Sequence, residues 1–508
     1  MKNASEVTFD DMQGLVRFGH GALTETCFML LTIKDVNAAK DWIKDAPFSS
    51  ATKAGSRPKT ALQIAFSAEG LRELDINDSL IKEFSDEFIV GMSGDESRSR
   101  RLGDVKSNAP EKWKWGGQDK QAPHILLLLY ACENGLDSWR NTVEGTAFTK
   151  SFKLLRELPT QFLTQENNRN PIEPFGFRDG ISQPKVDWER EQSTDTHERS
   201  QYSNLLAPGE VVLGYPNEYG QYTSRPLVDP DKDTFASLLP DALDETGLKD
   251  FARNGTYLVL RQLVQDVPSF WQFMDQQAGS DKQKREDLAA AMVGRKRDQE
   301  VTGEVKDTLL VSLDNDKIPG AVADNNFTYK QDPQGTRCPI GAHIRRTNPR
   351  NGDLPAGGGS GCISRLLKII GFGSSREDED LIASTRFHRI LRRGRTYGSL
   401  LKPDAIAEER GLQFICLVAN ISRQFEFVQN AWSTSSKFAG LQNERDPLLA
   451  HREPLITGEN TDQFFRPDPS GVVQKTCELP QFVTVRGGAY FFMPGLCALQ
   501  YIAAKDRN

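Results

Sequence analysis

The run Cys27-Phe28-Met29-Leu30-Leu31-Thr32-Ile33, followed by Asp35 and a helix-like pattern through Trp42, decides how the fold is read. Seven apolar or β-branched residues in a row are too few for a free-standing apolar helix and fit a buried strand. Asp35 stands where its carboxylate can accept from the first free amides of the helix that follows. Working outward, Thr60 to Phe66 is a second apolar run, and Ser67 opens a helix through Leu74. His124 to Ala131 is a third strand, with a helix expected from about Asp137 to Leu155. Strand-helix-strand followed by strand-helix is the order of a split βαβ, ferredoxin-like unit.

Residues from about Asp187 to Asp250 are polar and rich in Gly, Pro and Asp, as a connection would be. A second set follows: a strand from Gly255 to Leu263, a helix opening at Val267, a strand from Leu412 to Val418 and a helix from Phe425 to Trp432. Phe482 to Met493 reads as two short strands about the Gly487-Gly488 pair. The expectation is an α+β protein of two ferredoxin-like domains with antiparallel sheets, of the dimeric α+β barrel type, divided as 1–250 and 251–508.

The chain has 508 residues and a formal net charge of -7, with both signs interspersed, so no general basic field favours nucleic acid. Seven scattered cysteines without a Cys-x-x-Cys pair argue against a disulfide framework or zinc site. No apolar run approaches the roughly 20 residues that span a bilayer. The opening residues lack an apolar signal core or twin arginines, and the expectation is a cytoplasmic protein without a membrane partner. The oligomeric state, monomer or homo-oligomer, stays open at this point.

Two glycines bound the acid in Gly176-Phe177-Arg178-Asp179-Gly180, which continues into Ile181-Ser182-Gln183-Pro184. They free the backbone to hold a carboxylate beside a flat ligand, although Asp-Gly is also a common turn pair. Six histidines in so long a chain leave little room for a multi-histidine metal site, but one suffices for a haem iron. His343 follows the small residues Gly341-Ala342 and precedes Arg345 and Arg346, cations suited to pairing with propionates. Read alone, a histidine of this kind is more often structural than a ligand. His388, crowded by Arg389, Arg392 and Arg393, competes as a ligand.

Taken together, these stretches resemble the dye-decolourising peroxidase family, haem enzymes that reduce hydrogen peroxide. Gly176 to Gly180 matches its GxxDG signature; His343 with Thr347-Asn348-Pro349-Arg350 matches the proximal-ligand segment; Arg392 in Arg392-Arg393-Gly394-Arg395 matches the distal arginine. The resemblance runs from about Gly14 to Ala498. It implies one haem b in the C-terminal half, with His343 as the iron ligand and Asp179 and Arg392 as the catalytic pair on the other face. It also implies cofactor contacts from Phe177, Arg178, Asn348, Pro349, Arg350, Leu412 and Phe414. Asp179 would move the peroxide proton and Arg392 would stabilise the charge that develops. The partners implied are hydrogen peroxide and dyes, phenols and similar aromatic donors.

An aspartate base stays ionised at lower pH than a histidine, so activity is expected to favour mildly acidic solution. A profile governed by a group near pH 7 would contradict Asp179 as the sole base. The carboxylate expected behind the proximal histidine aligns with Asn420, with Glu426 or another acid as the substitute. Trp113, Trp115, Trp188, Trp271 and Trp432, with Tyr215, Tyr219, Tyr397 and Tyr490, are candidates for carrying oxidation to the surface or are simply core. The run Ala356 to Gly361 lacks the Lys-Ser/Thr of a phosphate loop. Two other readings are a haem-handling protein, which stores haem or removes its iron, and a haem-free scaffold.

Overall fold

The structure is a computed structural model that describes residues 7–118, 120–164, 171–189, 202–297, 309–351, 384–400 and 408–504. The glycine run 356–361 lies outside these residues. Among the described residues, no helix is long and apolar enough to cross a membrane.

The first half supplies β1 (Glu25–Ile33), α1 (Val36–Asp45), β2 (Thr60–Phe66), β3 (Ile125–Ala131) and β4 (Phe152–Leu158). Asp35 caps α1 as expected, its side chain accepting from the Ala38 amide. All seven residues of β3 are buried because it pairs with β1 on one edge and β2 on the other. Its faces are also covered: Ile125, Leu127 and Leu129 enter one core, and Leu126, Leu128 and Tyr130 the other. A strand enclosed on every side reads as an unbroken apolar run. The expected helix from Asp137 to Leu155 is a correction: helices cover Leu136–Val143 and Thr146–Ser151, and the chain then enters β4. The interior of β4 is mostly exposed, as an edge strand is, so its sequence lacks the apolar signature of the others.

The second half supplies β5 (Thr256–Gln265), α2 (Val267–Ala278), α3 (Lys282–Val293) and α4 (His343–Thr347). Then come β6 (Leu391–Arg392), β7 (Arg395–Tyr397), β8 (Gly411–Val418) and β9 (Val483–Met493). β6 and β7 act as one interrupted strand along β8. At the interruption, a Cβ on Gly394 would come within 2.5 Å of the Gln413 carbonyl oxygen, so only glycine passes there.

The strands form one sheet in the order β6-β8-β5-β9-β2-β3-β1-β4, with β7 also on β8. Numbered within its own half, each set of four runs second, third, first, fourth, the ferredoxin-like order, and every pairing is antiparallel. The halves meet where β9 pairs with β2 at Phe492 and Phe66. The two strands expected about Gly487-Gly488 are instead one strand of eleven residues with an irregularity between Val485 and Gly487. The glycines make room for neighbours rather than a turn. A Cβ on Gly487 would lie 2.4 Å from the Trp115 ring, and one on Gly488 would lie 2.5 Å from Met92 Sδ. The helix expected at Phe425–Trp432 is present within Ser422–Ser433, wound as π-helix.

Candidate active site

The acid-bearing turn is a small hairpin. Ile172 bridges Arg178, the Glu173 amide donates to the Phe177 carbonyl at 2.9 Å, and the Asp179 amide donates to the Pro171 carbonyl at 3.0 Å. Gly176 (φ 98°) and Gly180 (φ 82°) hold left-handed conformations that a side chain would strain. Asp179 Oδ1 accepts from the Gly180 amide at 2.6 Å and from Arg392 Nη1 at 2.9 Å. The expected pair is thus formed across 213 residues of chain.

Sheet register aims Arg392. It stands opposite Cys416 on β8, and opposed residues share a face, so Arg392 lies on the face that also carries Phe414 and Leu412. Both of those apolar side chains remain only partly buried, although they pack against the main core cluster. The Arg392 amide donates to Gln183 Oε1 at 3.1 Å, which ties the end of the GxxDG segment to the same strand. Burial pushes the Asp179 pKa up, but the Arg392 guanidinium, the Gly180 amide and the nearby His343 outweigh it, and the carboxyl stays below the usual aspartate value. It is therefore ionised near neutrality.

His343 opens α4. Its Nδ1 lies 2.9 Å from Asp446 Oδ2, and the other oxygen of Asp446 accepts from the Leu448 and Leu449 amides, each at 2.9 Å. Asp446 is fully buried, which pushes its pKa up; His343, the Leu449 amide and Arg346 pull it down further, so it is ionised. An ionised carboxylate cannot donate, so the ring hydrogen sits on Nδ1 and Nε2 keeps its lone pair. That pair replaces the expectation of Asn420 or Glu426. Asn420 Oδ1 instead accepts from Ser422 Oγ and the Arg423 amide, and Glu426 pairs with Arg98 and Tyr490.

The side chains of Asp179, Arg392 and His343 keep 38, 32 and 25 % of their surface accessible. Yet burial is the leading influence on Asp179, and His343 acts on it electrostatically. An imidazole backed by a buried carboxylate thus lies within electrostatic reach of an acid-guanidinium pair, and all three side chains remain partly accessible. The donor set fits haem: one nitrogen ligand of raised basicity and apolar side chains for a flat ring.

The other expected contact residues have the following surroundings. Phe177 is 2 % exposed, with its ring parallel to Trp271 at 6.4 Å. Arg350 is fully buried and donates to the Asn325 and Phe327 carbonyls and Asn325 Oδ1, and Pro349 is buried beside it. Arg178 pairs with Asp324 at 2.8 Å, and Asn348 is partly buried. Arg345 and Arg346 are not free for propionates: Arg345 binds Asp332 and the Cys338 carbonyl, and Arg346 binds the carbonyls of Gly341, Trp432, Ser435 and Glu444. His388 stacks on Phe427 at 3.6 Å and bonds the Arg423 carbonyl through Nδ1, without the buried carboxylate that backs His343. Trp113 and Trp115 are core residues, whereas Tyr219 is 54 % exposed.

Two acids beside the candidate residues carry no motif in the sequence: Asp446, and Glu173 at the start of the turn. Asp446 does precede Pro447-Leu448-Leu449, the pattern of an acid capping a turn through its own side chain.

No family model matches the chain. It is similar to dye-decolorizing peroxidase msp1 of Mycetinis scorodonius, 28 % identical over 468 residues, which span 88 % of this chain and 77 % of that protein. It is also similar to the multifunctional dye peroxidase DyP2 of an Amycolatopsis species, 28 % identical over 493 residues, 92 % of this chain and 86 % of that one. Among solved structures, the decolorizing peroxidase of Auricularia auricula-judae superposes with a TM-score of 0.70 at 24 % identity, covering 98 % of this chain and all of that one. The DyP-type peroxidase of Anabaena superposes with a TM-score of 0.66 at 22 % identity, covering 97 and 94 %.

Proposed function

We propose that this chain, which belongs to the dye-decolourising peroxidase family, is a haem peroxidase that reduces hydrogen peroxide and oxidises phenols, dyes and similar donors. The observation that carries this reading is the Asp179-Arg392 pair, 2.9 Å apart, electrostatically coupled to a His343 that is itself held by Asp446. A haem b held through His343 Nε2 would supply the iron that takes both oxidising equivalents of the peroxide and yields them singly to donors.

The remaining work falls to side chains. Asp446 fixes the His343 tautomer and raises its basicity as a ligand. Leu412 and Phe414 would screen the peroxide pocket, with Arg178 and Asn348 toward the edges. Asp179, ionised near neutrality, takes the proton from one oxygen of hydrogen peroxide and delivers it to the other, so that the leaving oxygen departs as water. Arg392 keeps its charge throughout, which holds Asp179 ionised and stabilises negative charge as the O–O bond breaks. Domain 1–250 would supply Asp179, and domain 251–508 would supply both its partner Arg392 and the ligand His343.

Rapid mixing of the ferric, haem-loaded protein with peroxide tests the assignment. The expected result is a fast loss of the resting Soret spectrum that Asp179→Asn slows severely. A fast change that Asp179→Asn leaves intact would favour haem handling, and protein that takes up no haem would favour a scaffold.

A further inference from the structure

Glu173 opens the distal hairpin, and its carboxylate is turned back into it. Oε2 accepts from the Phe175 amide at 2.9 Å, and Oε1 accepts from the Phe177 amide at 2.8 Å. Oε2 also accepts from Gln265 Nε2 at 2.6 Å, and Gln265 is the last residue of β5. One side chain therefore gathers two amides of the turn and fastens them to the central sheet of the other half. The Gly176 amide closes the same turn on the Glu173 carbonyl at 2.8 Å, and Asp179 follows three residues after Gly176.

All three donors to this carboxylate are uncharged. Asp179 on the same hairpin repels it, and burial is the larger influence, so its pKa is pushed up to about 7. The charged groups on the surrounding elements are engaged by others. Arg392 binds Asp179, Arg178 binds Asp324, and Arg297 beside Gly176 binds Glu286. Arg410, whose carbonyl accepts from the Gln265 amide, turns its own Nε to the Ser399 carbonyl. From α2 come only Phe270 against Phe175 and Trp271 against Phe177.

We propose that Glu173 is a positioning residue for Asp179, tying the distal turn to β5 through Gln265 so that the base meets peroxide at a fixed place. The idea rests on Asp179 being that base. An ionised Glu173 accepts all three N–H groups, whereas a protonated one gives up an acceptor to its own O–H. Burial outweighs that difference, so the fold favours the protonated form and the tie weakens as Glu173 ionises.

Two variants test it in the haem-loaded protein. Glu173→Gln mimics the protonated state at every pH, and Gln265→Leu cuts the same tie from the strand side while leaving the turn's charge alone. Both should retain the Soret band and lower the rate constant for peroxide by roughly tenfold, since small misplacements of a catalytic group are costly, with KM for the donor unchanged. Amide hydrogen exchange supplies a readout that packing alone would not move. Protection of Phe175 and Phe177, corrected for intrinsic exchange, should fall as pH rises toward 7 in the parent, because the carboxylate is costlier to ionise in the closed turn than in the open one, and stay flat in Glu173→Gln. An inflection in the peroxide rate near pH 7 that this variant removes would belong to Glu173 and not to a histidine base.

Parent-like peroxide rates in both variants, beside a crippled Asp179→Asn, overturn the role of Glu173 and leave the base assignment standing. An unimpaired Asp179→Asn overturns the base assignment and the role of Glu173 with it. Should Glu173→Gln fail to fold, Gln265→Leu alone decides.

Discussion

The candidate site holds two carboxylate pairs that share a distance and little else. Asp179 to Arg392 and Asp446 to His343 both measure 2.9 Å. The first pair keeps 38 and 32 % of its side-chain surface open, whereas in the second Asp446 is wholly covered. Asp179 hangs on a hairpin with two left-handed glycines; His343 sits at the start of a helix whose next residues are locked by Arg345 and Arg346 to neighbouring carbonyls. An open pair on a turn can exchange protons with a small molecule. A closed pair on an anchored helix can only hold. Under the proposed function the same interaction would serve reaction on one side and retention on the other, with burial deciding which.

Breaking the retaining side should have the largest effect. His343→Ala is expected to abolish stable haem uptake, read as the absence of a Soret band after reconstitution and desalting, while the far-ultraviolet spectrum of the haem-free protein stays as in the parent. Breaking the reacting side comes next. Asp179→Asn should keep the Soret band but slow the peroxide step by about 10²- to 10⁴-fold, the usual worth of a positioned proton-transfer group. Arg392→Leu should fall in the same range and also raise the pH at which Asp179 ionises, because the guanidinium is the leading stabiliser of its charge. The acid limb of the peroxide rate reads that displacement.

The unequal burial also governs how much of the site the sequence disclosed. Asp179, His343 and Arg392 stand in short runs whose glycines and arginines mark them, and the structure brings Asp179 and Arg392 together. Asp446 lies 103 residues beyond His343 in an irregular stretch, and no periodicity connects the two. A partner chosen by three-dimensional closure leaves little local trace, so alignment to a neighbouring asparagine misled. The strands of the sheet centre were legible because both faces are buried; β4 was not, because an edge strand exposes polar residues at most of its positions. The duplication was visible only as order, and the shared second-third-first-fourth arrangement emerged from the pairing itself. Phe177 and Arg350 owe their expected cofactor contact to their place in the motifs; Phe177 packs parallel to Trp271, and Arg350 donates to carbonyls.

A milder perturbation sharpens the contrast. Asp446→Asn leaves an acceptor for Nδ1–H but removes the charge behind the ligand. Haem affinity should fall by about 10- to 100-fold, as for other carboxylates behind a metal-binding histidine. The peroxide step should change less than in Asp179→Asn. Competition with apomyoglobin for haem measures the first quantity, and rapid mixing measures the second.

The smallest effect is on the acid stability of the haem-free protein, and its sign follows from linkage. Asp179 and Asp446 are both depressed in the fold, so each contributes stability above the unfolded value of about 3.9 and loses it as pH falls through the folded value. Asp179 is partly exposed and its share is screened, so Asp446→Asn should flatten the loss below pH 4 more than Asp179→Asn does. Glu173, Glu210 and Glu444 act oppositely: burial raises each to about 7. Their protonated forms favour the fold, and that contribution disappears as pH rises from the unfolded value of about 4.3 through 7. Thermal melts of haem-free protein between pH 3 and 8 should therefore peak in mildly acidic solution. Glu173→Gln should lessen the decline toward pH 8, and an unchanged decline would mean that its carboxylate is no more costly to ionise in the fold than in water.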